Sequence, residues 1–179
     1  IRPILQKGQG VASYYRMPNH RISGDIDWCF EDDDYSKARS FLKEKKIKFR
    51  DTGGFSLDYD YKDIHIEHHK RTFDFLNPFI KKYLNKLLIE YKNQHKLINI
   101  NDFKITLLAY ELQLLQINVH ILKHSITYGI GFRQFCDSAQ LYHRVSSKID
   151  KKKLYQIYKT TGILKWIHLL HKLLVDYIG

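Results

Sequence analysis

The chain has 179 residues, of which 44% are hydrophobic and 14% aromatic, with only 3 Pro and 9 Gly. This composition excludes a disordered, linker-like or collagen-like chain and predicts a folded protein of one domain or two small ones. The formal net charge of +11 is uneven, because residues 1–79 hold 14 Lys or Arg against 13 Asp or Glu and residues 80–179 hold 16 against 6.

The basic excess of the second half is typical of a chain with a nucleic-acid partner. The coding bias of an AT-rich genome is the alternative explanation, because 22 of the 30 basic residues are Lys.

No stretch has the ~18 to 20 apolar residues of a membrane span, and the first residues lack the layout of a signal peptide. We therefore expect a soluble protein without a membrane partner, and the low cysteine content indicates the reducing cytoplasm. The two cysteines, Cys29 and Cys136, predict core residues in a reducing compartment rather than a disulfide framework. Because Ile1 opens an apolar run, we also expect further natural residues upstream of it.

The first half predicts alternating strands and helices. Alternating patterns predict strands at 25–30 and 64–68, and short apolar stretches predict strands at 4–6, 47–49 and 55–59. Helical spacing predicts a helix at 35–46, and the first turns of another are expected at 11–15.

The second half predicts helices only, at 78–95, from Asn101–Asp102 through Leu122, and at 132–145, 152–158 and 164–178. The predicted fold is therefore α+β, with a small mixed sheet and flanking helices in residues 1–77 and an all-helical unit in residues 78–179.

The segment Gly24-Asp25-Ile26-Asp27 carries the chemistry of this sequence. In a strand, Asp25 and Asp27 point to the same face, and two adjacent carboxylates repel unless a proton or cation lies between them. Mg²⁺ prefers carboxylate oxygens, and Glu67, an acid in another apolar strand, is the best third ligand. The alternative is that both aspartates form the exposed face of an edge strand.

Three histidines, His65, His68 and His69, surround Glu67 and suggest a transition-metal cluster as an alternative. A strand would place His65 and His69 on one face and His68 on the other, which does not favour that cluster.

The order of these motifs resembles the nucleotidyltransferase superfamily, specifically its group of largely uncharacterised bacterial members. The resemblance rests on Lys7-Gly8, the strand Arg21-Ile22-Ser23-Gly24-Asp25-Ile26-Asp27, the strand Ile64-His65-Ile66-Glu67-His68, and a later segment with His124, Gly131, Arg133 and Asp137. It covers nearly the whole chain.

The resemblance implies a nucleotidyltransferase fold that uses two Mg²⁺ (or Mn²⁺) ions to transfer a nucleoside monophosphate from an NTP, such as ATP, to an acceptor hydroxyl. Asp25 and Asp27 would bind both metals, and Glu67 would bind the one that activates the acceptor. The residues implied at the nucleotide are Lys7, Gly8, Arg21, Ser23 and Gly24. Lys7-Gly8-Gln9-Gly10 departs from the usual G-S or G-G after the first strand, so phosphate contacts there depend on backbone N–H groups and Lys7.

Alternatives remain open for several of these assignments. Arg21 either reaches a phosphate or pairs with Asp63 or Glu31. The acceptor is tRNA or another RNA, a protein or a small molecule. A non-catalytic RNA-binding or regulatory module on the same fold is the main alternative function, and a nuclease with the same metals is another.

Overall fold

A computed structural model describes residues 1–127 and 129–178, except for the side chain of Asp32. The chain forms two compact units. The first comprises Ile1–Asp74 and Asn93–Leu108, and the second comprises Phe75–Lys92 and Ala109–Gly179.

The first unit is built on a seven-stranded mixed sheet. The strands are β1 (Ile4–Gln6), β2 (Asp25–Cys29), β3 (Arg50–Asp51), β4 (Ser56–Tyr61), β5 (Ile64–His69), β6 (Lys96–Ile100) and β7 (Phe103–Leu107). Their order is β3-β4-β5-β2-β1-β7-β6. The pairs β2–β5 and β1–β7 are parallel and the others are antiparallel.

Two helices, α1 (Lys7–Ala12) and α2 (Asp32–Glu44), accompany this sheet. The apolar side of α2 packs on the sheet through a core of Phe30, Tyr35, Ala38, Leu42 and Leu57. Trp28 and Tyr59 also pack against this core. Because side chains alternate along a strand, this packing leaves the opposite face of β2, β4 and β5 for polar residues.

The second unit consists of helices α3 (Pro78–Tyr91), α4 (Tyr110–Ile126), α5 (Phe132–Val145), α6 (Lys151–Thr160) and α7 (Leu164–Tyr177). Asn77 caps α3, where Pro78 takes a first-turn position that needs no N–H donor. Asp150 caps α6 by accepting hydrogen bonds from the N–H groups of Lys152 and Lys153. None of the helices in the described part of the chain is long and apolar enough to cross a membrane.

The expected α+β class with a mixed sheet and a helical C-terminal region is confirmed. The helix predicted from Asn101–Asp102 through Leu122 is wrong at its start, because residues 96–107 form the hairpin of β6 and β7. Its later part is confirmed as α4, which begins at Tyr110. Asn101 has φ +50, a left-handed conformation that Asn tolerates in a tight turn. The hairpin joins the sheet through β1, where Ile4 pairs with Thr106, so long-range pairing overrides the local helical spacing.

Other elements also differ from the predictions. Residues 47–49 do not form a strand; Ile47 and Phe49 pack against the core beside α2, and β3 begins at Arg50. The helix predicted at 11–15 forms at Lys7–Ala12 instead, so only Val11 and Ala12 of the predicted residues are helical. The helix predicted to reach residue 95 ends at Tyr91 and continues as a short 3-10 turn.

Candidate active site

Parallel pairing of β2 with β5 gathers the acidic residues of the sheet. Asp25 is aligned with His65, and Asp27 is aligned with Glu67. Because alternate residues share a face, Asp25 and Asp27 lie on the same side of the sheet as His65, Glu67 and His69. His68 lies on the other side, where its ring contacts Phe30.

Asp27 is the most deeply buried carboxylate of this face, with 3% of its surface exposed. Its Oδ1 lies 2.8 Å from Lys7 Nζ and 2.7 Å from His69 Nε2. Burial by itself raises the pKa of Asp27, but the hydrogen bond from His69 and the charge of Lys7 outweigh burial and hold that pKa below its usual value. Asp27 is therefore a carboxylate at neutral pH.

His69 also contacts Glu67, with 3.2 Å between His69 Nε2 and Glu67 Oε2. This hydrogen bond lowers the pKa of Glu67, against the opposing effect of burial. Burial disfavours the charged imidazole of His69, yet its contacts with Asp27 and Glu67 raise the pKa of His69 above its usual value. Ligand atoms of Asp27, Glu67 and His69 all lie within 4.8 Å of one another.

Asp25 belongs to the same face but stands outside this three-residue group. Burial raises the pKa of Asp25, and repulsion from Asp27 raises it further, although Lys7 opposes both effects. The two aspartates are thus unequal: Asp27 has protein partners that favour its charge, whereas Asp25 lies in surroundings that disfavour it.

A second cluster lies where the start of α1 meets the segment before β2. Arg21 Nη1 donates a hydrogen bond of 2.6 Å to Ser23 Oγ. Gly8 is buried, and a Cβ there would come within 2.4 Å of Ser23 Oγ and 3.4 Å of Arg21 Nη1. Lys7, which precedes it, has φ +44 and turns its ammonium group to Asp27. Gly24 is exposed, and a Cβ on that residue would meet no atom within 4 Å.

The structure adds residues to this face that were not predicted from the sequence patterns. Gln6 on β1 is aligned with Asp27, and Asp58 on β4 is aligned with Glu67. One row of aligned residues therefore crosses four strands and consists of Asp58, Glu67, Asp27 and Gln6. Asp58 carries a two-pronged ion pair from Arg50, with distances of 3.1 and 3.0 Å. The alternation of acids with apolar residues in Ser56-Leu57-Asp58-Tyr59-Asp60 was the available signal.

The donor chemistry of this face fits a divalent cation. It offers two carboxylates and one imidazole within coordinating reach of each other, with Asp25 as a further carboxylate beside them. Divalent cations accept such mixed oxygen and nitrogen ligands. Gln6, a member of this row, is also buried, and its Nε2 donor has no hydrogen-bond partner among the described residues, which leaves one N–H donor available to an acceptor atom of a bound group.

Comparisons with known proteins agree with this fold. No match was found among curated proteins. Among solved structures, the chain is similar to an antigenic nucleotidyltransferase-like protein from Paracoccidioides brasiliensis, with 13% identity and a TM-score of 0.57 over 95% of this chain and 79% of the other. A family model described as "uncharacterised nucleotidyltransferase" matches residues 1–179. The chain with this acidic sheet face therefore belongs to that nucleotidyltransferase family.

Proposed function

We propose that this protein is a metal-dependent nucleotidyltransferase that moves a nucleoside monophosphate from an NTP to an acceptor hydroxyl. The observation that carries the proposal is the β2–β5 register, which puts Asp25, Asp27 and Glu67 on one face of the sheet in a chain of this family. In the reaction, the acceptor oxygen bonds to the α-phosphorus, the bond to the bridging oxygen breaks, and pyrophosphate leaves. The acceptor's proton passes to water.

Asp25, Asp27 and Glu67 would hold the cations, Mg²⁺ or Mn²⁺. When bound, such cations neutralise phosphate charge and favour the ionised form of an acceptor hydroxyl. The sheet supplies rigidity, because Asp27 and Glu67 are fixed by neighbouring hydrogen-bonded strands rather than by loops. Asp27 is kept ionised by Lys7 and His69, so it is ready to act as a ligand at neutral pH.

Lys7 and Arg21 are proposed to bind the triphosphate, with Ser23 and the backbone at Gly8 and Gly24. Arg21 has a planar group that suits phosphate oxygens, and its hydrogen bond to Ser23 restricts where that group points. The close approach of Gly8 to Ser23 brings this backbone against the same cluster. Unchanged NTP kinetics in Lys7→Ala and Arg21→Ala would remove both residues from the site.

An RNA such as tRNA is the acceptor that the charge distribution favours. The helical unit, Phe75–Lys92 with Ala109–Gly179, holds 14 Lys or Arg against 5 Asp or Glu. Lys151, Lys152 and Lys153 are exposed at the start of α6. Phosphate backbones are attracted to such basic surfaces without sequence selection.

The decisive test measures transfer from each α-³²P-labelled NTP to bulk tRNA, to protein and to small-molecule hydroxyl acceptors, with Mg²⁺ or Mn²⁺. Glu67→Gln should lower the rate at saturating NTP by orders of magnitude while changing NTP affinity less. If Glu67→Gln lost NTP binding but kept a normal rate at saturation, the role given to Glu67 would be wrong.

A non-catalytic RNA-binding module is the second candidate. The contacts of Asp27 favour this candidate, because Lys7 and His69 already compensate its buried negative charge without a metal ion. Thermal unfolding with Mg²⁺ and each NTP separates the two functions. A ligand at ~100 times its Kd stabilises a protein by about 2.7 kcal/mol, so a transferase should show a clear rise in Tm and a module without an NTP site should show none.

A further inference from the structure

We propose that His69 is a metal ligand, and that its imidazole shifts the site from Mg²⁺ toward Mn²⁺ relative to a site of carboxylates alone. This inference rests on the proposed function and specifies its cation. The inferred ligand set contains the imidazole nitrogen of His69 in addition to the carboxylates of Asp25, Asp27 and Glu67.

The position of His69 supports this role. It follows Glu67 by two residues on β5, so both side chains lie on the face that bears Asp27. Its Nε2 atom lies 2.7 Å from Asp27 Oδ1 and 3.2 Å from Glu67 Oε2. The Nε2 atom of His69 therefore faces both carboxylates. A cation shared by Asp27 and Glu67 would lie within reach of the same nitrogen.

His65 provides the contrast on the same strand and face. Its Nδ1 lies 2.8 Å from Asp60 Oδ1, and its Nε2 lies 3.7 Å from Glu67 Oε1. His65 is thus directed to Asp60 and stands outside the group formed by Asp27, Glu67 and His69. Of these two histidines, the geometry selects His69.

The choice of metal follows from ligand chemistry. Mg²⁺ prefers oxygen ligands and releases its water reluctantly. Mn²⁺ also suits carboxylate oxygens but, as a first-row transition cation, accepts an imidazole nitrogen more readily than Mg²⁺ does. A mixed set of two carboxylates and one imidazole therefore favours Mn²⁺ over Mg²⁺ more than an all-oxygen set does. The informative quantity is the ratio of the two affinities, because carboxylates contribute to both.

The opposing explanation is that His69 serves only as a hydrogen-bond donor that holds Asp27 and Glu67 together. The two roles predict opposite effects of removing the imidazole. If His69 is a ligand, removing its imidazole weakens Mn²⁺ binding. If His69 is only a hydrogen-bond donor that competes with the cation, removing its imidazole frees the carboxylates and strengthens Mn²⁺ binding.

The experiment titrates the full chain with Mn²⁺, using the EPR signal of the free ion, and with Mg²⁺ by competition, both without nucleotide. His69→Gln should weaken Mn²⁺ binding by about tenfold or more and Mg²⁺ binding by less, so that the affinity ratio falls. His69→Asp, which supplies a charged carboxylate in place of the imidazole, should bind Mg²⁺ better than His69→Gln does. His65→Gln is the matched control and should keep the parent ratio.

A second measurement needs no variant. Electron spin echo envelope modulation of Mn²⁺ bound to the parent protein should show coupling to a directly bonded imidazole nitrogen. Absence of that coupling, or an unchanged or tighter Mn²⁺ affinity in a folded His69→Gln, would overturn the inference.

Failure of this inference is distinguishable from failure of the proposed function. If Asp27→Asn loses metal binding while His69→Gln keeps the parent ratio, the carboxylate site stands and His69 is excluded as a ligand. If the parent binds neither cation, with or without NTP, both the ligand role of His69 and the metal-dependent transferase function are refuted.

Discussion

Asp27 and Glu67 lie opposite each other on the parallel strands β2 and β5, although 40 positions separate them in the chain. Asp27 is buried and ion-paired, whereas Asp25, two residues earlier on the same face, stands in surroundings that raise its pKa. The two acids of the Gly24-Asp25-Ile26-Asp27 segment should therefore respond differently to the same substitution.

In the absence of metal, Asp25→Asn should leave the free energy of unfolding unchanged or raise it, because it removes a carboxylate that burial and Asp27 disfavour. Asp27→Asn should lower that free energy by about 1 to 3 kcal/mol, since it breaks the contacts with Lys7 and His69. Both should abolish transfer.

Urea denaturation without metal measures this difference, with the exposed Asp33→Asn as the control. Equal loss of stability in Asp25→Asn and Asp27→Asn would contradict the assigned inequality and would indicate a structural role for both.

The close packing at Gly8 leads to a second prediction. Gly8→Ala places a Cβ 2.4 Å from Ser23 Oγ, so Ser23 must move and its hydrogen bond with Arg21 must change. We expect a loss of about 1 to 3 kcal/mol in stability and a weaker NTP affinity.

Two variants control for this effect. Adding Ser23→Ala to Gly8→Ala should recover much of the lost stability, because the clashing oxygen is gone. Gly24→Ala should be tolerated, since a Cβ at that position meets no atom within 4 Å. Fluorescent-nucleotide titration and thermal unfolding measure both quantities, and a Gly8→Ala variant with parent values in each would refute the close approach.

The contribution of the basic helical unit to RNA binding can be tested without breaking the ion pair of Lys153. Lys153 Nζ pairs with Glu90 at 3.2 Å, so reversing its charge would also break an ion pair. Lys151→Glu with Lys152→Glu avoids that pair and should weaken tRNA binding and flatten its salt dependence. Filter binding at two salt concentrations measures this effect, with Mg²⁺ binding as the internal control. If the double variant binds tRNA as the parent does, these lysines do not contact RNA.

His171 should make stability depend on pH. Its ring contacts Tyr142, and burial, with the charge of His168, lowers the pKa of His171 in the folded state. The unfolded chain therefore takes up a proton first as pH falls, so this contribution to stability is lost below the unfolded pKa of about 6.5.

Denaturation of the parent and of His171→Gln between pH 8 and pH 5 checks this dependence. The parent should lose more stability than the variant as the pH falls, and His168→Gln should reduce the parent's loss because it removes the neighbouring charge. Parallel profiles for the parent and His171→Gln would contradict the prediction.

The sequence by itself determined the elements whose chemistry is local. The alternation of Asp25 and Asp27 with apolar neighbours predicted β2, and the spacing of residues 132–145 predicted α5 with its observed bounds. The order of the motifs also indicated the family. The strand that carries Glu67 was predicted as well, because its period-two pattern needs no partner to be recognised.

Tertiary structure decided what depends on pairing between distant segments. The helix predicted from Asn101–Asp102 through Leu122 takes in residues 103–107, but these pair with β1 as β7, and residues 96–107 become a hairpin. Register placed Gln6 and Asp58 in the row of Asp27 and Glu67, and it brought His69 Nε2, which lies beside Glu67 on β5, to Asp27. Alternation along one strand fixes only the face on which a side chain lies, whereas its neighbours on that face follow from strand order and register, which long-range hydrogen bonds and burial select.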